Sequence, residues 1–310
     1  MTRLIAYRLL QLPLILAVIY VVTFLLAWVA PGSPFTNERN IDPAVIKLMR
    51  EQFHADSAWQ FLGYYPFNIL VHGDFGHSLQ YREWTVNEII RSALPVSIIL
   101  GTFAMIIATI AGIGVGVLAA VRRGGPADWL SLSIALIGIS VPSFVVAALL
   151  LMLSATDPLQ GIFAVGRFSR PIDLVLPGFA LSLAPMAYIA RLTRASMLDV
   201  LGSDFVRTAR AKGVSPPGVV LKHCLRNAII PVLSYLGPAT AYTLTGSFVV
   251  EKVFNIPGLG QHFVNSVLNR DQTLILGVVM VYSAFVLVLN LVVDLLYGFV
   301  DPRIQIGGAK

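Results

Sequence analysis

The chain has 310 residues, of which 56% are hydrophobic and only 12% charged, and its mean hydropathy is +0.78. Soluble domains carry about 25% charge, so an ordinary water-soluble domain is excluded and a lipid solvent is indicated. The net charge of +6 then belongs to loops on the cytoplasmic side of a membrane rather than to a nucleic-acid surface, and the single cysteine, Cys224, excludes an intrachain disulfide.

A bilayer core of ~30 Å is crossed by ~20 apolar residues in a helix. Six stretches meet that length or approach it: 9–30, 93–121, 129–154, 174–190, 228–250 and 273–297. The fourth is short. The first follows Arg3 and Arg8 and is too long for a signal-peptide core, and Pro31 stands where a cleavage site wants a small residue, so it reads as an uncleaved helix. The expected fold is therefore an all-α, six-span membrane protein.

Orientation follows from lysine and arginine. With the N-terminus inside, thirteen of the 22 fall in cytoplasmic segments, seven of them between the fourth and fifth spans. Five of the others lie in the long loop 31–92, which counts little because long loops translocate regardless of charge. Both termini are thus expected in the cytoplasm. The chain divides into 1–30 (N-terminus and first span), 31–92 (an external, periplasmic cap with Trp59 and Trp84), 93–297 (the remaining spans, with a polar loop at 191–227) and a tail at 298–310.

The stretch SDFVRTARAKGVSPPGVVLKHCLRNAIIP, residues 203–231, interrupts the apolar pattern. Ser203 and Asp204 are N-cap residues, Gly213 suits the left-handed position beyond a helix end, and Pro216 with Pro217 forbids continuation. A nine-residue helix is marginal alone in water, so something must pack on it. Phe205, Val206, Ala209 and Ala211 among Arg207, Arg210 and Lys212 read as a docking knob, a small apolar centre with a cationic rim. A helix facing anionic lipid headgroups is the competing reading of the same charges.

The runs RTARAKG and LRNAIIP resemble the coupling motif of binding-protein-dependent ABC importer permeases. Arg207, Thr208 and Ala209 stand in the Glu-Ala-Ala places, Gly213 in the Gly place and Pro231 in the Pro place. The acid is missing, so a basic side chain would have to make the ATPase contact. APGSPFTNER, HGDFGHS, GSFVVEKVFNIPGLGQHFVNSVLNRD and VDLLYGFVDPRI extend the likeness along the chain, towards the first (B-type) permease subunit of oligopeptide importers. The resemblance implies a type I permease fold in a bacterial inner membrane, and a non-enzymatic role in peptide transport. It also implies a second homologous permease, two ATP-binding subunits that carry ATP and Mg, and an extracytoplasmic peptide-binding protein. Asp204, Phe205 and Arg207 to Gly213 would couple to the ATPase. A dipeptide, nickel or metallophore importer is the runner-up, and a stand-alone channel or ion-coupled carrier the rival from another class.

The chain lacks a G-x-x-x-x-G-K-[ST] loop, so no ATP site is expected here. Its five histidines show no ligand spacing, and no metal or other cofactor is expected. Pro216, Pro217, Pro231, Gly237 and Pro238 are candidate hinges, since proline in a membrane helix frees a carbonyl that a neighbour must satisfy. Asp294 is the one charge inside an expected span and, with Asn290 a turn earlier, forms an intramembrane polar pair; pairing with Arg303 is the expected role of the acid.

Overall fold

The computed structural model describes residues 2–30, 57–81, 83–156, 163, 166 and 168–300. Its helices are α1 (Thr2–Val29), α2 (Ala58–His72), α3 (Val86–Val121), α4 (Pro126–Ser140), α5 (Ser143–Ser154), α6 (Val175–Leu201), α7 (Asp204–Ala211), α8 (Pro216–Ala228), α9 (Ile230–Phe254), α10 (Leu259–Asn269) and α11 (Gln272–Val300). Four helices are long and apolar enough to cross a membrane, and up to six spans result if each of two bent pairs counts as one.

The expected spans recur with shifted ends and two changes of shape. Stretch 129–154 is not one rod: α4 and α5 meet at 103°. Pro142 lacks an N–H and crowds the residue before it, and Val141 is accordingly extended, with φ −90° and ψ 121°. The short fourth stretch is the larger departure. A 3₁₀ turn at Pro171–Leu174 leads into α6, which continues past residue 190 to Leu201. Hydropathy falls where Arg191 and Arg194 appear, but Thr193 and Met197 keep a buried stripe at helical spacing, so the backbone stays helical. The polar loop expected at 191–227 therefore begins inside a helix.

The chain divides into two compact units. One holds residues 1–96 and 257–310. In it α1 packs on α11, and Tyr20, Phe24 and Trp28 of α1 stack with Phe61 and Tyr65 of α2. Asp271, just before α11, is buried and takes hydrogen bonds from the Ser78 hydroxyl (2.5 Å), the Gln80 amide (3.1 Å), the Thr273 hydroxyl (2.9 Å) and the Leu274 amide (3.1 Å). This carboxylate caps α11 and ties the segment before α3 to it. The stretch 251–272, between the fifth and sixth expected spans, contains α10, which packs on α11.

The other unit holds residues 97–256, with α6 at its centre against α4, α5, α8 and α9. The GIGVG run of α3 supplies the close approach: a Cβ on Gly112 would lie 2.8 Å from the Met186 carbonyl, and one on Gly116 2.5 Å from the Ala190 carbonyl. Small residues let helix backbones meet in lipid, where hydrophobic burial gives no driving force between spans.

Candidate functional site

The polar stretch folds as a peg at the end of α6. Gly202 and Ser203 turn the chain, and α7 runs eight residues. Ser203 is the N-cap by position but does not cap: its hydroxyl donates back to the Val200 carbonyl at 2.6 Å, so the expected side-chain cap is corrected. The C-terminal end is as the glycine suggested. Gly213 has φ +76°, the Val214 amide bonds the Ala209 carbonyl at 3.2 Å and the Gly213 amide bonds the Arg210 carbonyl at 3.0 Å. This is a Schellman motif, which satisfies the last carbonyls of a short helix.

The expected knob is split by the fold. Val206 is fully buried and Ala209 nearly so, in a cluster with Met197, Ala120, Val219, Cys224 and Ala228. Burying a valine is worth about 1.5–3 kcal/mol, and this packing holds a helix too short to form alone. These two residues thus face their own chain and are not part of an outward apolar centre. The outward surface comprises Asp204, Phe205, Arg207, Thr208, Arg210, Ala211, Lys212 and Gly213, all exposed. Phe205 is 43% exposed, a large apolar side chain standing among cations. Arg207 pairs with Asp204 at 3.6 Å, and an exposed pair of this kind contributes little to stability.

α7 has ended at Ala211 before Pro216 and Pro217, and these prolines open α8, occupying first-turn positions where a missing N–H is harmless. α8 carries a π turn at Val219–Cys224. It then meets α9 at 56°, across Ile229. Pro231 sits in the first turn of α9, where it cannot bond back to Asn227, and this accounts for the bend. Pro238 lies inside α9 beside Gly237, and the helix runs on unbroken to Phe254. Asn290 is half-buried on α11; the side chain of Asp294 and all of Arg303 lie outside the described residues.

Two contacts near the peg had no sequence signal beyond residue type. Arg194 of α6 donates to both carboxylate oxygens of Asp128, at 2.5 and 2.9 Å, and Asp128 also accepts the Gly124 amide at 2.9 Å. This bidentate clamp joins the start of α4 to α6, about two turns before α6 ends at Leu201. Tyr188 of α6 stacks on Tyr235 of α9 at 4.4 Å, and the Arg191 guanidinium lies over Tyr188. Residues 66 positions apart in sequence give no periodic signal of such pairing. Among the described residues no group of His, Cys, Asp and Glu could hold a metal.

A family model described as binding-protein-dependent transport system inner membrane component matches residues 112–306. The dipeptide transport system permease protein of Bacillus subtilis (strain 168) is 44% identical over 93% of this chain and 93% of its own length. The oligopeptide transport system permease protein of Salmonella typhimurium (strain LT2) is 40% identical over 94% of this chain and 95% of its own. The crystal structure of an amino acid ABC transporter superposes with a TM-score of 0.50 at 19% identity, covering 67% of this chain and 92% of that one.

Proposed function

The chain belongs to the family of binding-protein-dependent transport system inner membrane components, a multi-pass membrane protein with the type I permease fold, and we propose that it is the permease subunit of an ATP-driven peptide importer. The observation that carries this reading is the α7 peg: a short, closed helix, anchored through Val206 and Ala209, that turns Phe205, Arg207, Arg210 and Lys212 outward. Peptide as cargo follows from the relatives, which carry dipeptide and oligopeptide names over nearly their whole length.

In this mechanism the peg seats in a cleft of an ATP-binding subunit that supplies ATP and Mg. Closure of two such subunits moves the peg, and α8 carries the motion through the bend at Ile229 into α9. A second homologous permease completes the path, and an extracytoplasmic binding protein delivers the peptide. Alternating access then requires that nucleotide bind the two states of the bundle with different affinity. The peg, and with it both termini, lies in the cytoplasm of a bacterium whose inner membrane the chain crosses.

Reconstitution tests the reading. Proteoliposomes holding the complete complex and a loaded binding protein should take up peptide only with ATP inside the motor subunits' compartment. Peptide flux down its gradient through this chain alone would overturn it, and would favour the stand-alone carrier.

A further inference from the structure

α2 lies in the stretch expected to form an external cap, yet its composition and packing are those of a helix in lipid. From Ala58 to Val71 it contains no Asp, Glu, Lys or Arg. One face packs on α1 and α11 through Phe61 and Tyr65. The other presents Trp59, Phe67, Leu70 and Val71 outward, between 58% and 84% exposed. Along α2 the partners on α1 run backwards: Phe61 meets Phe24 and Trp28, then Leu62 and Tyr65 meet Tyr20. α2 therefore descends alongside α1, whose residues Leu9–Val29 form a span with mean hydropathy 2.6 and little of its surface covered.

A second observation is independent of exposure. Pro66 cannot donate to the Leu62 carbonyl, four residues back. In water that carbonyl would need no protein partner. Here the Tyr20 hydroxyl donates to it at 3.1 Å. Such substitution for a freed backbone partner by a neighbouring helix is what hydrocarbon demands.

Between the two helices lies a groove of about 380 Å³, lined by Leu16, Ala17, Leu62, Pro66, Leu70 and Met280 among other apolar side chains. That volume lies within the ~300–1,000 Å³ of sites that hold small organic ligands. Val21 and Leu70, which line the groove, are themselves exposed, so the groove is continuous with the bare apolar surface of α1 and α2.

We propose that α2 is a short helix embedded in the bilayer alongside α1 and that its groove with α1 and Met280 holds a phospholipid acyl chain. The proposal rests on the membrane-spanning fold and not on the cargo. The test uses the permease purified with its partner subunits, in nanodiscs of palmitoyl-oleoyl phosphatidylglycerol and phosphatidylethanolamine. A nitroxide at Leu70→Cys, in a Cys224→Ala background, should relax several-fold more with oxygen than with a water-soluble nickel chelate, relative to the same label at Glu83→Cys. A ratio equal to that at Glu83 would put α2 in water; shielding from both reagents would mark a protein partner on it; either result overturns the proposal. Filling the groove with Ala17→Leu, and more so Ala17→Trp, should remove about one retained phospholipid per complex by native mass spectrometry. An unchanged lipid count in both variants would reject the groove as an acyl site.

Discussion

Gly213 shows how much of the proposed coupling depends on one backbone angle. Its φ of +76° closes α7 by a Schellman motif, and nothing lies within 4 Å of where a Cβ would stand. The cost of a side chain is therefore conformational, about 1–3 kcal/mol for a residue forced out of its favoured region. Gly213→Val is expected to impair ATP-driven uptake while the complex still assembles, and Gly213→Asn, whose side chain tolerates the left-handed region, should retain more. Uptake measured beside pull-down of the ATPase checks both; normal uptake in the valine variant would remove Gly213 from the coupling path. Arg207 and Arg210 act through charge instead. Reversing both to Glu should weaken ATPase retention at least about tenfold, because like charges across an interface cost several kcal/mol. Unchanged retention would mean that the cations face lipid headgroups or solvent.

At the scale of elements, the peg is only as stiff as its anchor. Val206 is fully buried against Met197, Val219 and Cys224, so Val206→Ala removes methyl contacts worth about 1–2 kcal/mol. The expected result is faster protease cleavage after Arg207 or Arg210 in the purified protein, with the spans left intact. The Asp128–Arg194 clamp braces the same end of the bundle, and both oxygens of Asp128 are engaged. Asp128→Asn should lower the melting temperature of the permease in detergent, and Arg194→Gln in the same chain should restore part of it, since the arginine is no longer left without its counter-charge. Additive losses in that double variant would show that the two side chains do not act as a pair. Proline acts differently in different elements. Pro142 breaks a helix pair to 103° and Pro231 marks a 56° bend, whereas Pro185 and Pro238 are carried inside unbroken helices.

For the whole molecule, the orientation proposed from the lysine and arginine bias has a direct check. A reporter fused after Lys310 should read cytoplasmic, and an external reading would invert the topology and take the peg away from any ATPase. The identity shared with peptide permeases covers 93–94% of the chain rather than the coupling stretch alone.

The sequence by itself determined the solvent, the helical class, the number of apolar stretches and the position of the peg, because twenty-residue hydrophobicity and local backbone signals such as Gly213 depend on near neighbours in the chain. It also carried the family, through motifs that keep their order. Tertiary structure alone decided which face of α7 is buried and that α6 outlasts its hydropathy to reach Leu201. The same holds for Asp128 with Arg194, and for Tyr20 with the carbonyl that Pro66 leaves free. Each of these depends on a partner brought from dozens of residues away, and packing between helices is not written in the periodicity of either one.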